Sequence, residues 1–343
     1  MPAAFIDAIE TELSWLGTPR PVDTLYIGGG TPTDLVAAKL QRLCHTVGQW
    51  FPLAAPYEWT VEANPCGLSL DKVQLLARAG VNRISLGVQS FDDRKLALLE
   101  RDHRLPEILK AYQLCRDHFD SVCLDLIFAV PGESISTWQD DLDRAMALQA
   151  DHLSIYGLTF EKGARFWGDL QRGRLVEVGE EEQRSMYELA IDRLTENGWE
   201  HYEVANFARP GKRSRHNQVY WTGHEYFAAG PGAARYVGGE RQTNHRSTFT
   251  WLRRVQANRS PVNETETLSD EQQARERLVF GLRMLEGIDK ESFCRETGFQ
   301  IEQLVGEPLR QFVADELIED TGTGLRLTRR GLLISDALWP HFL

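Results

Sequence analysis

Short apolar runs alternate with longer amphipathic stretches through the first half of the 343-residue chain. Thr24 to Ile27, Glu58 to Glu62, Arg83 to Val88, Ser121 to Phe128 and His152 to Leu158 have the length and composition of buried strands. Between them, apolar positions recur at helical spacing over Leu35 to Phe51, Leu70 to Ala79, Arg94 to Glu100, Pro106 to Phe119 and Thr137 to Leu148. This alternation predicts an α/β fold of right-handed βαβ units, a parallel sheet or barrel. Functional groups are then expected at the C-terminal ends of the strands.

The C-terminal part reads differently. After the acidic, polar segment Asn263 to Gln273, helices are predicted at Leu278 to Leu285 and Ile301 to Leu317. The turn Asp320 to Gly324 leads to a predicted strand, Leu325 to Leu333, and a final helix. Helices followed by a small hairpin suggest an α+β, winged-helix-like module. Arg326, Arg329 and Arg330 invite a DNA-binding reading, which the acidic surroundings disfavour against packing or partner binding.

Composition narrows the classes. Lys plus Arg number 38 against 50 Asp plus Glu, a formal net charge of -12, so no overall electrostatic footprint for nucleic acid or anionic membrane exists. No apolar stretch reaches the roughly 20 residues that span a bilayer, and Asp7, Glu10 and Glu12 interrupt any signal-peptide pattern. The expected location is cytoplasmic. Five cysteines, at 44, 66, 115, 123 and 294, form no compact metal-binding cluster and are expected to be reduced and mostly buried.

Candidate chemistry falls where the fold predicts it. Gly28-Gly-Gly-Thr-Pro-Thr33 follows the first strand, and its glycines let a ligand approach the backbone closely. Pro32 is placed in the first turn of the helix containing Leu35, Leu40 and Leu43, with Thr31 or Thr33 as cap. The spacing matches neither a P-loop nor a dinucleotide fingerprint, so an ordinary tight turn remains the plain alternative. Glu62, Gln89 and Asp125 each end or interrupt an apolar run, and together can converge on a ligand bearing hydroxyl and amino groups.

These motifs carry a resemblance. Gly28 to Thr33, Val61-Glu-Ala-Asn-Pro65, Leu86-Gly-Val-Gln-Ser-Phe91, Glu100-Arg101 and Asp125 to Gly132 occur in order and resemble the radical S-adenosylmethionine (SAM) proteins of the oxygen-independent coproporphyrinogen oxidase type. The resemblance covers nearly the whole chain. It implies that Gly29, Gly30 and Thr31 contact the methionine part of S-adenosylmethionine, that Glu62, Gln89, Arg101 and Asp125 surround the rest, and that Thr159 supplies a backbone contact. The implied fold is a partial (β/α)6-type barrel.

The second half resembles the HemW branch, regarded as haem chaperones, through His216-Asn-x-x-Tyr-Trp221. The resemblance makes His216, Asn217, Tyr220 and Trp221 candidates for haem binding. Imidazole can ligate iron, and Tyr and Trp offer apolar faces to a porphyrin. On a helix His216 and Tyr220 lie one turn apart. Iron ligation by His216 stands open against a structural role in which His216 and Asn217 bond to backbone.

The family's [4Fe-4S] cluster is held by C-x-x-x-C-x-x-C in the loop after its first barrel strand, whereas here Met1 leads into an amphipathic pattern at Phe5, Ile6, Ile9, Leu13 and Leu16. The barrel is therefore expected without its first strand, either because a segment precedes Met1 in a full-length form or because the protein is naturally cluster-less. The kept cofactor positions favour the first account. The expected organisation is a radical SAM-type partial barrel over 1–165, a HemW-like extension over 166–262 and a winged-helix-like domain over 263–343. The leading function is haem binding and delivery to a haem-accepting protein, with membrane association only through that acceptor. Oxidative decarboxylation of coproporphyrinogen III and a degenerate, cluster-less binding module are the alternatives, and enzymatic activity is left undecided.

Overall fold

The computed structural model describes residues 2–160 and 165–343, and they divide into two units. Among the described residues, one comprises those of 24–41 and 58–214; the other comprises 2–23, 42–57 and 215–343.

The first unit is organised by a seven-stranded sheet. Its strands are β1 (Val22–Ile27), β2 (Leu53–Ala63), β3 (Arg83–Gln89), β4 (Ser121–Phe128), β5 (His152–Gly157), β6 (Glu200–Glu203) and β7 (Asn206–Ala208). Their spatial order is β1-β2-β3-β4-β5-β7-β6. β2 through β5 pair in parallel, and the β6–β7 ribbon joins the β5 edge antiparallel. Sequential parallel neighbours joined by helices give the half-barrel that the alternation predicts. All five predicted strands form, and the predicted helix at Leu70–Ala79 has those bounds.

Strand periodicity sorts the side chains onto two faces. Leu25, Trp59, Val61, Ile84, Leu86, Val122, Leu124, Leu126, Leu153 and Ile155 are buried and alternate with polar residues. The interleaved positions are Tyr26 on β1, Glu58, Thr60 and Glu62 on β2, Arg83 and Ser85 on β3, Cys123 and Asp125 on β4, and His152 and Ser154 on β5. The sheet thus has one oily face and one polar face, and several polar-face residues are as buried as the core: Thr60, Arg83 and His152 each expose less than 5 % of their surface.

A second polar cluster locks the strand ends. Buried Lys95 pairs with Glu133 and, at 2.9 Å, with Asp141. Asp141 also accepts from Ser90 Oγ at 2.7 Å and the Phe91 amide at 2.6 Å, so every charge has a partner.

In the other unit, helix Pro2–Ser14 buries Ile6, Ile9 and Leu13. Its Glu12 accepts from the Gly230 amide at 2.9 Å, Asn244 Nδ2 at 2.6 Å and Trp251 Nε1 at 2.9 Å. Three antiparallel strands follow, β8 (Ala234–Val237), β9 (Glu240–Asn244) and β10 (Val262–Thr267), then a small sheet of β11 (Ile288–Asp289), β12 (Ile318–Asp320) and β13 (Gly324–Leu327) in the order β11-β13-β12.

Two local expectations are corrected. The predicted strand Leu325 to Leu333 stops at Leu327, because Thr328 Oγ1 accepts from the Gly331 amide at 3.0 Å and caps helix Arg329–Leu333. Pro32 does not open the long helix. It starts a separate 3-10 turn, Pro32–Asp34, after which Leu35 is extended and the α-helix begins at Ala37. Thr31 makes no side-chain cap there. Among the described residues no helix is long and apolar enough to cross a membrane.

Candidate functional site

The site is built from the glycine turn and the polar face of the sheet. A Cβ at Gly28 would collide with Tyr26 Cε1 and stand 2.5 Å from the Glu62 carboxyl carbon, so only glycine fits. Gly29 has φ of +79°, and a methyl group placed on Gly29 or Gly30 would meet no atom within 4 Å. The turn is therefore anchored on one side and open on the other. Glu62 anchors it, accepting from Tyr26 OH at 2.7 Å and from the Gly29 amide at 3.0 Å.

Asp125, one strand beyond Ser85, accepts from Ser85 Oγ at 3.0 Å to both carboxylate oxygens. Desolvation pushes its carboxyl up to about 6, opposed by its hydrogen bonds and reinforced by the nearby charge of Glu62. Behind it runs a directed chain. The Ser214 amide donates to Tyr202 OH at 3.2 Å, Tyr202 OH lies 2.8 Å from His152 Nε2, and His152 Nδ1 lies 2.9 Å from Cys123 Sγ. The Cys123 thiol in turn donates to Asp125 at 3.4 Å. Burial holds His152 well below its usual range and raises the Cys123 thiol, so both are neutral in this chain of bonds.

The structure brings Gly29, Glu62 and Asp125 to the same polar face. Gln89 sits at the end of β3 with φ of +67°, and Ala129, just past β4, has φ of +60°. Left-handed backbone at such residues is costly and clusters at sites where geometry is over-determined. Among the described residues no hydrogen bond links Gln89 or Arg101 to either carboxylate. Arg101 instead carries a buried Nε without a partner. Thr159 is exposed beyond β5. Tyr26, Ser85, Cys123, His152 and Tyr202 are polar contributors that no sequence motif marks.

The His216 segment is helical over Arg215–Trp221. His216 Nε2 lies 2.9 Å from Tyr220 OH, with the rings edge to face, as one helical turn of spacing allows. Tyr220 and Trp221, but neither His216 nor Asn217, line a cavity of about 590 Å³, whose other walls include His224, Tyr226 and Phe280. Arg283 stacks on Trp221 at 4.7 Å. Burial raises the Tyr220 hydroxyl to about 12, so it stays protonated.

Comparison with known proteins gives this geometry a context. Residues 5–145 match the radical SAM superfamily, and 268–334 match the HemN C-terminal domain. The chain is 32% identical over 344 residues to the heme chaperone HemW of Bacillus subtilis, covering 99% of this chain and 91% of that one. The chain belongs to the HemW family. Another member, from Lactococcus lactis, is 34% identical across 93% of this chain and 84% of its own. A mitochondrial radical S-adenosyl methionine domain-containing protein 1 from Danio rerio is 34% identical, covering 97% and 78%. In three dimensions, the coproporphyrinogen III oxidase HemN of Escherichia coli superposes with a TM-score of 0.86 over 99% of this chain and 83% of that one. At 21% identity that likeness shows the radical SAM fold.

The superfamily implies S-adenosylmethionine and a [4Fe-4S] cluster. The glycine cradle, the two carboxylates and the orphaned Arg101 Nε fit the first of these. For the cluster, no group of three metal-binding side chains occurs among the described residues. Cys44, Cys115 and Cys123 are buried, Cys66 is exposed and Cys294 is half-buried.

Proposed function

We propose that the chain binds haem and passes it to a haem-requiring partner protein, and that its polar-faced sheet holds S-adenosylmethionine. The observation that carries this reading is similarity to curated heme chaperones along 99% of the chain. Haem is received at the segment bearing His216, Asn217, Tyr220 and Trp221, where rings supply a broad apolar surface. S-adenosylmethionine is received by Gly29, Gly30, Thr31, Glu62, Gln89, Arg101, Asp125 and Thr159. The paired negative charges of Glu62 and Asp125 favour a ligand with sulfonium and ammonium cations, and the open space over Gly29 and Gly30 leaves room for its methionine part. When bound, S-adenosylmethionine supplies a latent adenosyl group. This chain's residues bind it and orient it. The corresponding organisation is a SAM-binding half-barrel over 1–165, a haem-receiving segment over 166–262 and a C-terminal domain over 263–343.

The test is haem transfer. Haem-loaded protein is mixed with a haem-free b-type acceptor, and the Soret band is followed. Faster and more complete filling of the acceptor than from free haemin-albumin supports the reading; no transfer overturns it.

A further inference from the structure

The cavity beside helix Arg215–Trp221 contains a histidine outside the motif that drew attention to this segment. His224 lines that space of about 590 Å³ together with Tyr220, Trp221, Tyr226, Tyr236 and Phe280. The volume lies within the roughly 300–1,000 Å³ of small-molecule sites, and flat rings make up much of the wall. His216, the motif histidine, is not among the lining residues, and its Nε2 already meets the Tyr220 hydroxyl at 2.9 Å.

The hydrogen bonds around His224 define its tautomer. Thr222 Oγ1 lies 2.8 Å from the Gln218 carbonyl and 3.2 Å from the Val219 carbonyl, so its single proton is directed at backbone acceptors. The same oxygen lies 2.7 Å from His224 Nδ1. With the hydroxyl proton already committed, His224 Nδ1–H must be the donor. The lone pair is then on Nε2, which has no hydrogen-bond partner among the described residues. The backbone fixes the same turn, since the His224 amide donates to the Val219 carbonyl at 3.2 Å. An imidazole whose far N–H is held by a neighbouring oxygen is the arrangement that metal-ligating histidines adopt.

The surroundings decide what kind of metal. No group of three His, Cys, Asp or Glu side chains capable of holding a bare ion occurs among the described residues. One imidazole alone suits an iron that already carries four porphyrin nitrogens. Both arginines of the lining are engaged by carboxylates, and Asp270 adds a further acid to the wall. Arg241 pairs with Glu276 at 3.0 Å, and Arg277 pairs with Glu296. The walls therefore offer faces to a macrocycle more than cations to its carboxylates.

We propose that His224 Nε2 is the axial ligand to haem iron, with the macrocycle against Tyr220, Trp221 and Phe280, and that His216 is a positioning residue acting through the Tyr220 hydroxyl. This rests on the haem-binding reading above. His224 is exposed, so its replacement leaves the packed core intact.

The test uses the full chain titrated with ferric haemin, followed by absorption and electron paramagnetic resonance, for wild type, H224A and H216A. Expected are a nitrogen-ligated ferric signal in wild type and H216A, its loss in H224A with about tenfold or more weaker binding, and its return when free imidazole is added to H224A. An unchanged signal and affinity in H224A, or loss of the ligated signal in H216A alone, would overturn the assignment to His224 while leaving haem binding intact. Absence of any saturable haem binding by the wild type would instead overturn the underlying reading, and the assignment with it.

Discussion

On the polar face of the β1–β7 sheet, Glu62 and Asp125 are each held by two or more hydrogen bonds from rigid strands or the glycine turn. Beside helix Arg215–Trp221 the cavity is instead walled by rings, with Tyr220 and Tyr226 packed edge to face at 4.8 Å and Trp221 near Phe280 at 6.3 Å. The first region concentrates negative charge in a partly desolvated place, which on the proposed reading suits a small, polar, cationic ligand. The second offers ring area beside His224, which the proposal assigns to a large flat ligand with a metal centre. The difference teaches how the proposed reading divides recognition: electrostatics fixed by a sheet in one region, surface fixed by aromatic packing in the other.

The largest expected effect breaks the rigidity of the first region. Lys95→Met leaves Glu133 and Asp141 buried without their cation and should cost about 3–5 kcal/mol, measured by urea unfolding. A loss below about 1 kcal/mol would show that the strand ends do not depend on this network.

Asp125 gives a pH signature that the aromatic cavity should lack. Its folded-state pKa of about 6 lies above the ordinary carboxylate value, so the folded protein holds this proton more tightly than the unfolded chain. Its contribution is fully present below pH about 4 and is lost as pH rises through about 6. Asp125→Asn should therefore gain stability relative to wild type across that window, by at most about 3 kcal/mol, and the difference should be flat above pH about 7. Denaturation curves at several pH values check the sign.

Gly28→Ala sharpens the comparison from the other side. The added methyl collides with Tyr26 and Glu62, an overpacking cost of about 1–3 kcal/mol. Calorimetric titration with S-adenosylmethionine should show weakened binding, while haemin titration stays unchanged. Equal damage to both would mean that the two regions do not work separately. Trp221→Ala is the converse, and should weaken haem binding by about 1–2 kcal/mol without altering the S-adenosylmethionine titration.

Much of the half-barrel was legible because a buried parallel sheet writes itself as apolar runs separated by helix-period stretches. Glu62, Gln89 and Asp125 stood out because each interrupts such a run. Their partners did not. Ser85 faces Cys123 in the β3–β4 register, and His152 reaches Tyr202 across 50 residues, relations fixed by strand pairing and invisible along the chain. The alternation within the runs was the available signal: Cys123 and Asp125, or His152 and Ser154, are spaced to share a face. The strand predicted through Leu333 failed because Thr328 looks like a β-former in isolation, yet its hydroxyl caps a helix. His224 carried no periodic signal at all. It lies in a turn, and its orientation depends on a threonine whose proton is committed elsewhere.

The most direct test of the account is equilibrium titration of the full chain with ferric haemin, read at the Soret band. The account predicts a saturable band shift at one haem per chain that is distinct from free haemin. Absorbance that follows free haemin throughout, with no saturation, would contradict it.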